Sequence, residues 1–141
     1  MYKILLIPII IGFGAQFLKI IRYARTPKDA WKQLLSYGGM PSSHTAFVTS
    51  VTMIVFLSEG LKSPLFALSL VYALLIIRDA VGLRQALGQH GQIINRLRNL
   101  LPSDERINIP PLEERMGHTP TEALAGAIWG IAGSLILWTL L

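Results

Sequence analysis

The chain has no cysteine, so disulfides and thiolate metal ligands are excluded, and cysteine usage says nothing about redox compartment. Charge is nearly as scarce. Asp, Glu, Lys and Arg together make up 15% of 141 residues, against 52% hydrophobic side chains and a mean hydropathy of +0.49. An ordinary soluble domain of this size carries more charge than that. The expected fold class is therefore all-α, an integral membrane bundle with about four transmembrane helices and one amphipathic interfacial helix, forming a single membrane-embedded domain over residues 1–141. Acidic residues are the scarcer sign, 8 against 13 basic. In a membrane protein the placement of that excess matters more than its sum.

Lys3 followed by the apolar run from Ile4 to Ile11 resembles a signal peptide, but no small-residue cleavage site follows and the apolar character continues to Ile21. The run reads as a retained first span, Tyr2 to Ile21, long enough to cross a hydrocarbon layer of roughly 30 Å. A basic connection follows, in which Thr26-Pro27-Lys28-Asp29 reads as a turn or helix start. The second span runs from His44 to about Leu57, and its Thr45, Thr49, Ser50 and Thr52 suit packing against other helices. The third runs from Leu65 to Ile77 and is closed by the charged stretch Arg78 to Arg84.

From Gln85 to Leu101 the pattern is amphipathic, with Leu83, Leu87, Ile94, Leu97 and Leu101 on one side and Gln85, Gln89, Gln92, Arg96 and Asn99 on the other. Such a helix lies at the interface or folds over a site. Pro102 to Pro111 reads as the flexible stretch, and Ala123 to Leu141 as the last span, with Gly126, Gly130 and Gly133 as a small-residue packing face. Lys19, Arg22, Arg25, Lys28 and Lys32 fall in the first connection, Lys62 alone in the second, and Arg78, Arg84, Arg96, Arg98, Arg106 and Arg115 in the third. The positive-inside rule then puts connections one and three in the cytoplasm and both termini outside.

The chain is organised around Gly38-Gly39-Met40-Pro41-Ser42-Ser43-His44, a polar turn that opens into an apolar helix. Ser42 or Ser43 can cap that helix, whose unpaired N–H groups and positive dipole end attract anions, phosphate above all. His118 stands in the same relation to the last span. Under the topology above, both imidazoles lie on one membrane side with Arg78, Asp79 and Arg84. Two imidazoles, several cations and two helix N-termini suit phosphoryl transfer: cations neutralise the equatorial oxygens, one histidine attacks phosphorus and the other protonates the departing oxygen. Thr119-Pro120-Thr121-Glu122 reads equally well as a capping box, and Arg78 with Asp79 as a simple interfacial ion pair. The alternative readings of Asp79 are that it orients Arg84 or holds a cation.

Pro41-Ser42-Ser43-His44 resembles the Pro-Ser-Gly-His motif of the type 2 phosphatidic acid phosphatase and vanadium haloperoxidase superfamily, and His118-x-x-x-Glu122 resembles its His-x-x-x-Asp. Gly39 to His44, Arg78-Asp79-Ala80-x-Gly82-x-Arg84 and Gly117-His118-Thr119-Pro120-x-Glu122 together look like the divergent branch of that superfamily, small membrane proteins of bacteria and plants. The resemblance covers about Gln16 to Gly130. It implies His118 as the nucleophile that forms a phosphohistidine, Glu122 as the residue that orients it, and His44 as general acid. Arg84 would clamp the phosphate, with Lys19 and Arg22 or Arg25 serving the first motif, and Arg78, Ser42 and Ser43 contributing to binding. The pattern departs from the family in three places. Lys19 is followed seven positions on by Thr26 where the family has Arg, Arg84 stands 34 residues before His118, and Glu122 replaces Asp.

The implied activity is metal-independent hydrolysis of a lipid phosphate, with no cofactor, no nucleic-acid partner and a site on the cytoplasmic side of the cell membrane. Phospholipid and isoprenoid phosphates both fit. A divalent ion at Asp79 and Glu122 and a homo-oligomer through the last helix are the open alternatives for ligand and assembly. A non-catalytic protein that binds anionic lipid or phosphate is the alternative function, and a transporter has less support because the charges cluster at one face rather than mid-span.

Overall fold

A computed structural model describes residues 2–35, 38–102, 108–114 and 116–141, without the side chains of 32–35. Arg106, Arg115 and the side chain of Lys32, counted above as orientation signals, lie outside the described residues, as does half of the stretch expected to be flexible. All regular structure among the described residues is helical: α1 (Tyr2–Tyr23), α2 (Pro27–Leu35), α3 (Ser43–Glu59), α4 (Pro64–Arg78), a π-helical turn (Asp79–Leu83), α5 (Arg84–Leu100) and α6 (Pro120–Leu140).

The helix starts follow from local chemistry. Ser63 Oγ accepts the Leu65 N–H at 3.1 Å with Pro64 at the first helical position, and Thr119 with Pro120 repeats the arrangement for α6. Thr26 and Asp29 bond each other reciprocally, Thr26 N–H to Asp29 Oδ2 at 3.0 Å and Asp29 N–H to Thr26 Oγ1 at 3.2 Å. The stretch expected to be a turn or helix start therefore opens a nine-residue helix, α2.

α3 is the axis of the bundle, with α1, α4 and α6 packed around it and α1 also touching α6. Its hydroxyls face those partners. Ser50 Oγ and Ser134 Oγ lie 2.6 Å apart between α3 and α6, and Thr52 Oγ1 donates to the Ser69 carbonyl of α4 at 3.2 Å. The α3–α6 seam is tight because α6 presents glycines: a Cβ on Gly130 would stand 2.6 Å from the Ala46 carbonyl oxygen. Ile7, Ile11, Ala15, Ala46 and Ile54 form the buried core.

Large apolar side chains elsewhere face outward, among them Leu5, Phe13, Leu68, Tyr72 and Leu75, as expected of a bundle whose solvent is lipid. Three stretches, Tyr2–Tyr23, Pro64–Leu100 and Pro120–Leu140, are long and apolar enough to cross a membrane. α3, at 17 residues, spans about 25 Å at 1.5 Å per residue.

One expectation about the charged end of α4 is corrected, and one pair of alternatives is decided. Arg78 to Arg84 does not close a helix but continues it, through a π turn into α5. Of the readings open for Asp79, the structure shows the one with Arg84, Nε to Oδ2 at 2.6 Å, and not the ion pair with Arg78. Successive residues on a helix stand about 100° apart, so Arg78 and Asp79 point in different directions.

Candidate active site

The two histidine-bearing segments are tied together by backbone. In the π turn the Arg84 N–H reaches back five residues to the Asp79 carbonyl, and the Ala80 carbonyl accepts the His118 N–H at 2.9 Å. The Ser42 N–H donates to the Glu122 carbonyl at 3.0 Å, and the Ser42 side chain caps α3 through the Thr45 N–H at 3.3 Å. The N-termini of α3 and α6 are thereby held side by side at the base of α5.

A second set of contacts fixes the approach to His118. Residues 112–114 and 116–117 form a strap laid along α5. Asn95, 9% exposed, donates from Nδ2 to the Leu112 carbonyl and to Glu114 Oε1, both at 2.8 Å, and accepts the Leu112 N–H at 2.9 Å. Gly88 and Gly91 make room for it: a Cβ on either would sit 2.8 Å from a strap carbonyl oxygen, of Glu114 and Glu113 respectively. The packed face of α5 is thus its small and polar one, Gly88, Gly91 and Asn95, while Leu83, Leu87, Ile94 and Leu97 stay exposed.

His118 is 4% exposed and His44 is open to the outside, with ring centroids 6.3 Å apart and planes inclined at 58°. Glu122 Oε2 lies 3.2 Å from His118 Nδ1 and accepts the Thr119 N–H at 3.1 Å, so one carboxylate closes the helix cap and holds the imidazole. The carboxylate partner makes Nδ1 the protonated nitrogen and leaves the Nε2 lone pair free. Burial pushes the His118 pKa below its ordinary value; the Lys19 ammonium and His44 push the same way, against the hydrogen bond and charge of Glu122. The ring is neutral at pH 7.

Lys19 is 1% exposed and donates from Nζ to Ser43 Oγ at 3.2 Å. It lies within electrostatic range of His44, His118 and Glu122, and the Arg84–Asp79 pair within range of His44. His44, His118, Glu122, Lys19, Ser42, Ser43, Arg84 and Asp79 thus form one neighbourhood. Arg22 and Arg78 stand outside it. Arg22 is exposed and rests over the Tyr23 ring, 5.7 Å from its centroid, and Arg78 is exposed at the end of α4.

Over His118 and Glu122 opens a cleft of about 350 Å³, walled by α5, the strap and Gly38–Gly39. Asn95, Gly88 and Gly91 were not singled out by sequence reasoning. Their i, i+3, i+7 spacing on one face of α5 is the signal that marks them. No group of three or more potential metal-ligating His, Cys, Asp or Glu side chains occurs among the described residues.

The family model described as the divergent PAP2 family matches residues 2–133. The chain belongs to the divergent PAP2 family. It is also similar to YuiD of Bacillus subtilis (strain 168), an uncharacterized membrane protein, at 35% identity over 135 residues that cover 87% of this chain and 85% of the relative. No solved structure matches. The match to the divergent PAP2 family takes in the Pro41–His44 turn, the π turn and the His118–Glu122 cap alike.

Proposed function

We propose that this protein is a membrane phosphatase that hydrolyses a lipid phosphate monoester or diphosphate through a phosphohistidine at His118. The observation that carries the reading is the meeting of two imidazoles 74 residues apart in sequence, at 6.3 Å between centroids, beside a buried lysine. In the first step His118 Nε2 attacks phosphorus, the bond to the leaving oxygen breaks, and protonated His44 gives that oxygen its proton. In the second step water attacks the phosphohistidine, neutral His44 takes the water proton, and the P–N bond breaks to release phosphate. Glu122 stabilises the charge that develops on the His118 ring, and Lys19 and Arg84 neutralise the phosphoryl oxygens.

The lipid substrate is supported by placement, since the group stands where helix ends meet the membrane interface. We read α3 as the fourth span and the site as cytoplasmic, from the bias of basic residues in the first and third connections. Purified protein is expected to release inorganic phosphate from phosphatidate or an isoprenyl phosphate in detergent, and His118→Ala and His44→Ala each to abolish it. Activity that survives both substitutions would sink the assignment.

One observation favours a second reading, a non-catalytic anion-binding protein: Lys19 and Arg84 already have partners, Ser43 and Asp79. Trapping with ³²P-labelled substrate separates the two, because only the enzyme leaves label on His118.

A further inference from the structure

One stripe of side chains runs down the outer face of the whole α4–α5 stretch. On α4 it is made by Leu65, Leu68, Tyr72 and Leu75, at spacings of three, four and three. From the end of the π turn onward it is made by Leu83, Leu87, His90, Ile94, Leu97 and Leu101, at spacings of four, three, four, three and four. All are exposed except Leu101, which is half-buried. Leu75 and Leu83 are eight residues apart, one more than two regular turns, and the π turn between them absorbs the extra residue because it winds through a smaller angle per residue. Both halves of the stripe therefore share a face. Its repeat averages 3.5 residues, the period of a seam between two packed helices.

Lipid covers only the first half. About 20 residues cross the hydrocarbon layer, which takes the stretch from Pro64 to Leu83 and leaves Leu87 to Leu101 beyond it. Gln85, Gln89 and Gln92 of α5 share the cleft with Tyr23 at the end of α1, so α5 stays with the bundle rather than lying out over the surrounding lipid. Its opposite face, Gly88, Gly91 and Asn95, is already taken by the strap. We propose that the stripe is the pairing surface for a second copy of this chain, in a two-fold dimer whose α5 helices form a short parallel coiled coil beyond the membrane. Two copies with one orientation in the bilayer bring identical seams together in parallel, as such a repeat requires. Charge permits the self-pairing. With Leu87 and Ile94 at a and His90 and Leu97 at d, the g positions are Ala86, Ile93 and Leu100, so Arg98 at e faces an apolar side chain and not a like charge. His90, the polar member of the seam, fixes its register.

The chain has no cysteine, so single cysteines report the seam by disulfide formation. In proteoliposomes treated with copper phenanthroline, Leu87→Cys, Ile94→Cys and Leu97→Cys are each expected to cross-link at least about 10-fold faster than Arg96→Cys and Asn99→Cys, which point away from the seam. All five side chains are exposed in the single chain, so none of these substitutions removes a packing contact of the fold. Equal rates at the five positions mark random collision and overturn the pairing. Slow cross-linking at the seam, with the same cysteines protected from a water-soluble maleimide, puts the stripe against lipid; slow cross-linking with free access to maleimide leaves it open to water. Either result overturns the dimer and leaves the phosphatase reading standing.

Discussion

Replacing Gly88 with alanine sets two effects against each other. Gly88 lies inside α5, where alanine is a better helix former by up to about 1 kcal/mol. The added Cβ, however, would meet the Glu114 carbonyl oxygen at 2.8 Å, the Met116 carbonyl oxygen at 3.0 Å and the Met116 nitrogen at 3.2 Å. All three are backbone atoms, so no side-chain rotation relieves the contact. Ordinary contact begins at 3.4 Å, so the strap must lift by about 0.6 Å at Glu114 and about 0.4 Å at Met116, two residues before His118. Overpacking of this kind costs roughly 1–3 kcal/mol, which the helix gain partly offsets.

Global stability is therefore expected to change by less than about 2 kcal/mol. The imidazole, in contrast, moves by a large fraction of the roughly 1 Å that can cost about 100-fold in rate, so activity is expected to fall on the order of 10-fold. Thermal unfolding in detergent and phosphate release from the same preparation read the two effects separately. Gly82→Ala is the control, because its Cβ meets nothing within 4 Å. Gly88→Ala activity within twofold of wild type would refute the idea that the strap sets the position of His118.

Glu122→Gln removes the interactions that raise the His118 pKa and leaves burial and the Lys19 charge, which lower it. A nucleophilic His118 must be neutral, so the acid limb of kcat/KM, already below the ordinary histidine range of about 6.5 in wild type, is expected to move to still lower pH as the maximal rate falls. An acid limb that shifts upward in this variant contradicts the assignment. Asn95→Ala strips the Leu112 backbone of two hydrogen bonds, about 2 kcal/mol, and the Leu112 amide is expected to exchange its hydrogen roughly 30-fold faster. Lys19→Met keeps the buried volume and removes the cation. Inhibition by orthovanadate is expected to weaken more than 10-fold, since charge-assisted contacts to the anion are lost, with the helical circular dichroism unchanged.

The apolar helices were legible because each is an apolar run, opened in α3, α4 and α6 by a capping hydroxyl and in α4 and α6 also by a proline. Ser63-Pro64 and Thr119-Pro120 mark helix starts that local chemistry alone enforces. The two histidines were legible for the same reason, since each sits beside such a cap. What the sequence could not convey is the geometry of the π turn. Regular helical spacing offers Asp79 a partner at three or four residues, whereas the wide turn brings it Arg84 at five. The packing face of α5 was hidden for a different reason: glycine and asparagine among leucines read as a solvent face, and only the strap laid over them makes them the buried side.

α4 and α5 run on through the π turn as one 37-residue stretch, about 55 Å at 1.5 Å per residue, nearly twice the thickness of a hydrocarbon layer. The part that meets lipid and the part that walls the cleft therefore belong to one continuous helical stretch, and Ala80, in the π turn that joins them, holds His118 through its carbonyl. A bilayer thickness that changes the tilt of α4 is therefore expected to change the width of the cleft, with no loop between the two to absorb the motion.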